Sequence, residues 1–280
     1  MSSVIMGLNG ATVPSASLEE GLCAARRAGF TAFEPRVPLL VSAQAAGRTP
    51  QILEFLAHGL RWLPLNAVEG VFASPRSELG PRAREVFALA SRFRVPQVIL
   101  VPGARAAAPN LSEALAELRW LGAESSRHGV KLLYELIGFP TFAFPTLGQA
   151  YDLARAAGFP LVLDTFHLAI SRTRPDEIAR LPASAIGLVH LSDALTTGKG
   201  LEELRDEDRV LPGEGGLPLG DLLGGIRRTG YSGPVSVEVF HPKYGERDPV
   251  AVAQDAFRMA CEILTATGWE LGPRRERWKG

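Results

Sequence analysis

Four ionisable residues stand at the ends of short apolar runs in the second half of the chain. Lys131-Leu-Leu-Tyr-Glu135 and Leu161-Val-Leu-Asp164 end in carboxylates, Ile186-Gly-Leu-Val-His190 in an imidazole, and Val235-Ser-Val-Glu238 in a third carboxylate. Apolar runs too short for a helix read as buried parallel strands. A charged group delivered to the rim of a buried sheet is costly unless something compensates it. Glu135, Asp164, His190 and Glu238 together point to one divalent metal ion as that compensation, and three carboxylates with one imidazole suit Mn²⁺, Mg²⁺, Co²⁺ or Zn²⁺. The plain alternative for any one of them is a surface residue at the start of a loop. Recurrence at four strand ends argues for a shared site.

The elements that must position these groups follow a regular alternation. Strands are predicted at Val4–Leu8, 31–36, Leu60–Leu65, Gln97–Val101, Val130–Leu136, from Leu161, at Ile186–Leu191 and at Pro234–Val239. Helical spacing separates them. Ser17–Ala28 has Ser17 as N-cap, Glu20 three residues on and Gly29 as its stop. Further helices are predicted at 50–58, 80–94, 111–128, 146–157, 175–181, 219–229 and 250–267, with an Ala- and Gly-rich loop before residue 50 and a long polar loop from Ser192 to Leu217. Strand-then-helix units with no linker argue for a single-domain α/β fold, a (β/α)8 TIM barrel over residues 1–271, followed by a charged tail at 272–280. A doubly wound sheet would need fewer strands or a second domain. In a barrel the active site lies at the C-terminal ends of the strands. Glu135, Asp164, His190 and Glu238 end strands five to eight, so they can meet.

The bulk composition narrows the partners. The chain has 280 residues, a hydrophobic content of 46% and a formal net charge of zero. No global field favours nucleic acid or an anionic membrane. No apolar run approaches the ~20 residues that span a bilayer, and the N-terminus lacks a basic, signal-like segment. Cys23 and Cys261 are expected as a buried reduced pair, which together with the rest indicates a cytoplasmic protein.

Several stretches resemble the xylose-isomerase-like TIM-barrel family of sugar isomerases, epimerases and related dehydratases. They are Asn66-Ala, Glu135 with Gly138, Gln149-Ala-Tyr151, Leu163-Asp-Thr-Phe-His167, Val189-His-Leu-Ser-Asp193, Asp206-Glu-Asp-Arg-Val210 with Pro212-Gly213, and Ser236-Val-Glu238. The resemblance covers most of the chain and is densest from Leu132 to Asp248. Within the family it is nearest the branch acting on keto-inositols. It implies metal ligation by Glu135, Asp164, His190 and Glu238, and substrate contacts by His167 and Arg209. It also implies proton transfer by Glu135 and Glu238 through an enediolate, on a small sugar, keto-polyol or related cyclic keto acid. Family members are often oligomeric, so a homo-oligomer is compatible. Asn9, Glu34, Arg36 and Asn66 end strands on the other side of the barrel, where they are expected to bind substrate hydroxyl groups.

Departures from the family bear on the alternatives. The nuclease branch needs further histidines where this chain has Asn66 and Asp208-Arg209, and no basic stripe is present for phosphates. Ketose 3-epimerases carry another glutamate shortly after the first ligand, whereas Leu136-Ile-Gly-Phe-Pro-Thr-Phe142 has no acid. Dehydratases of 3-dehydroshikimate or inosose stay open, because they begin with the same enolisation. So does a barrel that binds a polyol or a metal without turnover. Gly213-Glu-Gly-Gly216 lacks the lysine of a phosphate loop and reads as a flexible lid turn.

Overall fold

The computed structural model describes residues 4–51, 53, 58–104 and 109–272. Its strands are β1 (Ile5–Asn9), β2 (Ala32–Glu34), β3 (Arg61–Trp62), β4 (Leu65–Val71), β5 (Gln97–Pro102), β6 (Lys131–Glu135), β7 (Leu161–Asp164), β8 (Ile186–Leu191), β9 (Asp193–Ala194), β10 (Arg209–Val210) and β11 (Pro234–Val237). Nine of them form one sheet in the order β3-β2-β1-β11-β8-β7-β6-β5-β4, while β9 and β10 pair separately. β3 and β4 are consecutive in the chain, and a parallel bridge between Arg36 and Asn66, with Asn66 N–H donating to Pro35 O at 3.0 Å, joins the two edges. The sheet is thus the curled parallel sheet of a (β/α)8 barrel whose third stave comes in two pieces.

That third stave differs from the single strand predicted at Leu60–Leu65. Pro64 has no N–H to give a ladder, and beyond it β4 runs on to Val71 against β5 with register shifts. Asn66 therefore lies inside a stave and not at its exit. The stretch after β2 also differs, since Val37–Ala45 is a helix with proline in its first turn, a position whose fixed φ suits a helix start. The helix predicted at 50–58 falls mostly on residues outside those described, as do residues 273–280 of the charged tail.

The helix Leu18–Ala28 carries the expected capping box between Ser17 and Glu20 and ends on Gly29 at φ 106°. Leu18, Gly21, Leu22, Ala24 and Ala25 form its buried face. Cys23 falls between these positions and is exposed, whereas Cys261 is buried, and neither is in a disulfide. The expected buried pair is corrected by that helical phase. Among the described residues no helix is long and apolar enough to cross a membrane.

Most of the core lies between the sheet and its helices. A second, smaller cluster fills the barrel itself: Ala32, Leu63, Ala67, Ile99, Leu133, Val162 and Leu188. At Gly187 a Cβ would meet the Leu133 side chain, so glycine leaves that plug residue its room. This plug is the floor on which the polar layer rests.

Candidate active site

Side chains two residues apart on a strand share a face. Glu34 stands two residues beyond Ala32, Glu135 two beyond Leu133, Asp164 two beyond Val162 and His190 two beyond Leu188, so each rises from the apolar plug toward the barrel mouth. Glu238 follows Ser236 and Asn9 follows Gly7 in the same way. All of these polar residues are buried.

Glu135, Asp164, His190 and Glu238 each offer one ligand atom, and these atoms lie within 4.8 Å of one another. His190 Nδ1 is 3.1 Å from Glu135 Oε1 and 3.1 Å from Glu238 Oε2, with Asp164 Oδ2 at 4.0 Å. Its Nε2 faces Glu34, 3.0 Å from Oε1 and 3.1 Å from Oε2. The other oxygen of Asp164 accepts the Phe166 N–H at 2.7 Å, which fixes the carboxylate at the start of the short helix Thr165–Ile170. Three buried carboxylates converging on one imidazole nitrogen are an acceptor-rich set that a divalent cation fits, both in charge and in donor type.

The electrostatics are uneven. Burial pushes the Glu135 carboxyl up to about 7, against the pull of His190. Burial also acts to raise Glu238, but His190 and then Arg209 and Arg36 outweigh it and hold that carboxyl at about 2. Burial lowers His190, yet Glu238 and Glu34 carry it well above the ordinary histidine range.

Arg209 comes from β10, in the segment expected as a long loop. It is buried, its Nη1 lying 2.5 Å from Asp164 Oδ2 and 3.2 Å from Ser192 Oγ, and its Nε donating to Asp206 Oδ1 at 3.0 Å. The guanidinium lies 4.2 Å from the centre of the Phe166 ring and 5.4 Å from that of Phe240. Arg209 Nη2 is 3.2 Å from His167 Nε2. Burial, and then Arg209, push the His167 imidazole down to about 3. His167 is thus neutral, Nε2 accepts from Arg209, and Nδ1 carries the proton. That Nδ1–H is buried without a protein partner.

The four residues expected to line the other side are placed differently from one another. Asn9 Nδ2 donates to Glu238 Oε1 at 2.9 Å, and Asn66 Nδ2 donates to the same oxygen at 2.8 Å and to Glu34 Oε1 at 3.1 Å. Glu34 is fully buried against His190. These three form an inner wall behind the carboxylates. Arg36 alone is half-buried, with its guanidinium 5.3 Å from the Phe240 ring centre and a buried Nε that has no hydrogen-bond partner.

Sequence reasoning missed the task of Asp193. Its carboxylate accepts from the backbone N–H groups of Gly213, Gly215 and Leu217 at 3.1, 3.1 and 2.9 Å. The glycine-rich turn read as a flexible lid is therefore tied to the end of β8, and the β9–β10 pair lies beside it. Strand alternation stops at residue 191, so no period marked Asp193. Ser192, Asp206, Phe166 and Phe240 likewise lie beyond their strands' ends, where no period assigns a side chain its direction.

A family model described as xylose isomerase-like TIM barrel matches residues 22–263. The chain is 33% identical over 229 residues to the inosose isomerase of Halalkalibacterium halodurans, covering 75% of this chain and 78% of that one. It is 27% identical over 263 residues to the 3-dehydroshikimate dehydratase of Pseudomonas putida, covering 92% of this chain and 41% of that one. Its fold matches the crystal structure of the IOLI protein with a bound zinc atom at a TM-score of 0.85, with 23% identity over 95% of this chain and 99% of that one. Relatives on this barrel are thus isomerases and dehydratases. The chain belongs to the xylose isomerase-like TIM barrel family.

Proposed function

We propose that the protein is a metal-dependent isomerase that moves a ketone between neighbouring carbons of a keto-inositol. The observation that carries this reading is the meeting of Glu135 and Glu238 at His190 Nδ1, each at 3.1 Å, beside Asp164. Glu135, Asp164, His190 and Glu238 would hold the ion, as their donor types and burial suit. A divalent ion held there would supply Lewis-acid polarisation of a carbonyl and its neighbouring hydroxyl, which acidifies the C–H of the hydroxyl-bearing carbon.

Glu135 and Glu238 are the acid–base pair. Glu135 Oε1 meets His190 Nδ1 at 3.1 Å and takes no asparagine amide among the described residues, which leaves it the freer of the two to take and return a proton. Glu238 is pinned through Oε1 by Asn9 and Asn66 and stays ionised. Removal of the C–H proton gives an enediolate; reprotonation at the former carbonyl carbon, with the hydroxyl proton passing from one oxygen to the other, completes the shift. His167 Nδ1–H and the Nε–H of Arg36 are suited to substrate oxygens, since both are buried without a hydrogen-bond partner. Arg209 orients His167 and completes the wall of the pocket.

The inosose isomerase relative supports the keto-inositol, and the zinc of the structural neighbour supports the metal. A dehydratase is the second reading, favoured by the relative that aligns with 92% of the chain. Proton NMR of metal-loaded protein with 2-keto-myo-inositol in D₂O separates the two. Chelator-sensitive deuterium uptake with a shifted ketone is expected. Absence of both would refute the isomerase, and water loss from 3-dehydroshikimate would then establish the lyase.

A further inference from the structure

We infer that Glu34 is a positioning residue for the metal centre: it takes the Nε2–H of His190 and thereby turns the Nδ1 lone pair onto the point where the three carboxylates converge. The inference rests on the metal reading above and assigns Glu34 a task other than touching substrate.

A neutral imidazole has one N–H donor and one acceptor nitrogen. Among the described residues the contacts of both His190 nitrogens are carboxylates: Glu135, Glu238 and Asp164 at Nδ1, and Glu34 at Nε2. A neutral ring can donate to one side only. With a cation among the carboxylates, the nitrogen facing it must be the bare one, so the proton goes to Glu34. Both Glu34 oxygens are within reach of Nε2, at 3.0 and 3.1 Å.

Glu34 is itself held in place. The Asn66 amide donates to Glu34 Oε1 and to Glu238 Oε1, so one side chain ties the carboxylate behind the histidine to a carboxylate in front of it. β2 and β8 are separated in the sheet by β1 and β11, so the contact crosses the lumen above the apolar plug. Both Glu34 oxygens face His190 Nε2, and Oε1 also takes the Asn66 amide, so the carboxylate is engaged with the ring and its tie. Its charge acts through the ring, making Nδ1 a stronger donor to a cation. Removing such an outer carboxylate commonly lowers metal affinity by about 10–100-fold.

The test uses the whole chain and zinc. Glu34→Gln keeps an acceptor oxygen and the side-chain shape but removes the charge. Competition with a chromophoric chelator should show zinc affinity lower by about 10–100-fold, with the metal-free variant still melting cooperatively. In ¹⁵N NMR of the zinc-loaded wild type, His190 should be protonated at Nε2 and metal-bound through Nδ1. Asn66→Ala, which removes the tie but not the charge, should lose less affinity than Glu34→Gln. Equal zinc affinity in wild type and Glu34→Gln, or zinc bound through Nε2, overturns the inference while the metal reading stands. A wild type that holds no zinc, manganese, cobalt or magnesium overturns both.

Discussion

Arg209 Nη1 sits 2.5 Å from Asp164 Oδ2, and both side chains are almost completely shielded from solvent. The guanidinium is the fixed positive charge nearest to a cluster of three carboxylates. Breaking such a buried pair from one side strands a charge and costs about 3–5 kcal/mol. Arg209→Met should lower the unfolding free energy of the metal-free protein by that amount in urea titrations, and a divalent ion should restore part of it by supplying the missing charge. Equal stability of variant and wild type would show that Asp164 is neutralised by another route.

Gly138 packs its Cα against the backbone of the helix that carries His167. A Cβ at this position would collide with the His167 carbonyl oxygen and crowd the Ser171 nitrogen, neither of which can rotate away as a side chain does. Gly138→Ala should cost about 1–3 kcal/mol, as overpacking does, and reduce turnover by displacing His167. Urea midpoints and initial rates measured on the same preparation check both parts. Unchanged values would mean that the helix Thr165–Ile170 can shift without consequence.

His167 makes stability depend on pH in a defined direction. Its folded pKa of about 3 lies below the ordinary value of 6.5. As pH falls through the window from 6.5 toward 3, the unfolded chain binds a proton that the folded chain refuses, so stability is lost. The slope from this group is at most ~1.4 kcal/mol per pH unit. Glu135, pushed up to about 7, opposes it, because its folded form gains a proton first as pH falls. The difference between wild type and His167→Gln isolates the histidine. Urea unfolding at several pH values between neutrality and mild acid should give a shallower acid loss in the variant, and parallel curves would contradict a neutral His167.

Asp193 predicts how the mouth is held. Asp193→Ala leaves the amides of Gly213, Gly215 and Leu217 without their shared acceptor. The loss is expected at about 1–3 kcal/mol if those amides stay buried, and less if the turn opens to water. Opening would expose the segment from Leu211 to Leu217 to proteases and raise KM through Arg209, which lies two residues before it. Limited proteolysis followed by mass mapping checks this, and an unchanged cleavage pattern would refute the tie.

The residues at the strand ends were legible because their signal is local. Glu135, Asp164, His190 and Glu238 each close an apolar run, and strand periodicity alone places each on the face of the residue two positions before it. The cap of Leu18–Ala28 was legible for the same reason, since Ser17 and Glu20 satisfy neighbouring backbone groups within one turn. Only the tertiary structure decided where Glu34, Asn9 and Asn66 turn. Glu34 and His190 are 156 residues apart, and Asn9 and Glu238 are 229 apart. Their meeting depends on how the sheet closes, with Pro64 splitting the third stave and Asn66 drawn inside it. A strand carries the face of its own side chains in its sequence, whereas the partner across a barrel is set by register and closure, to which every other strand contributes.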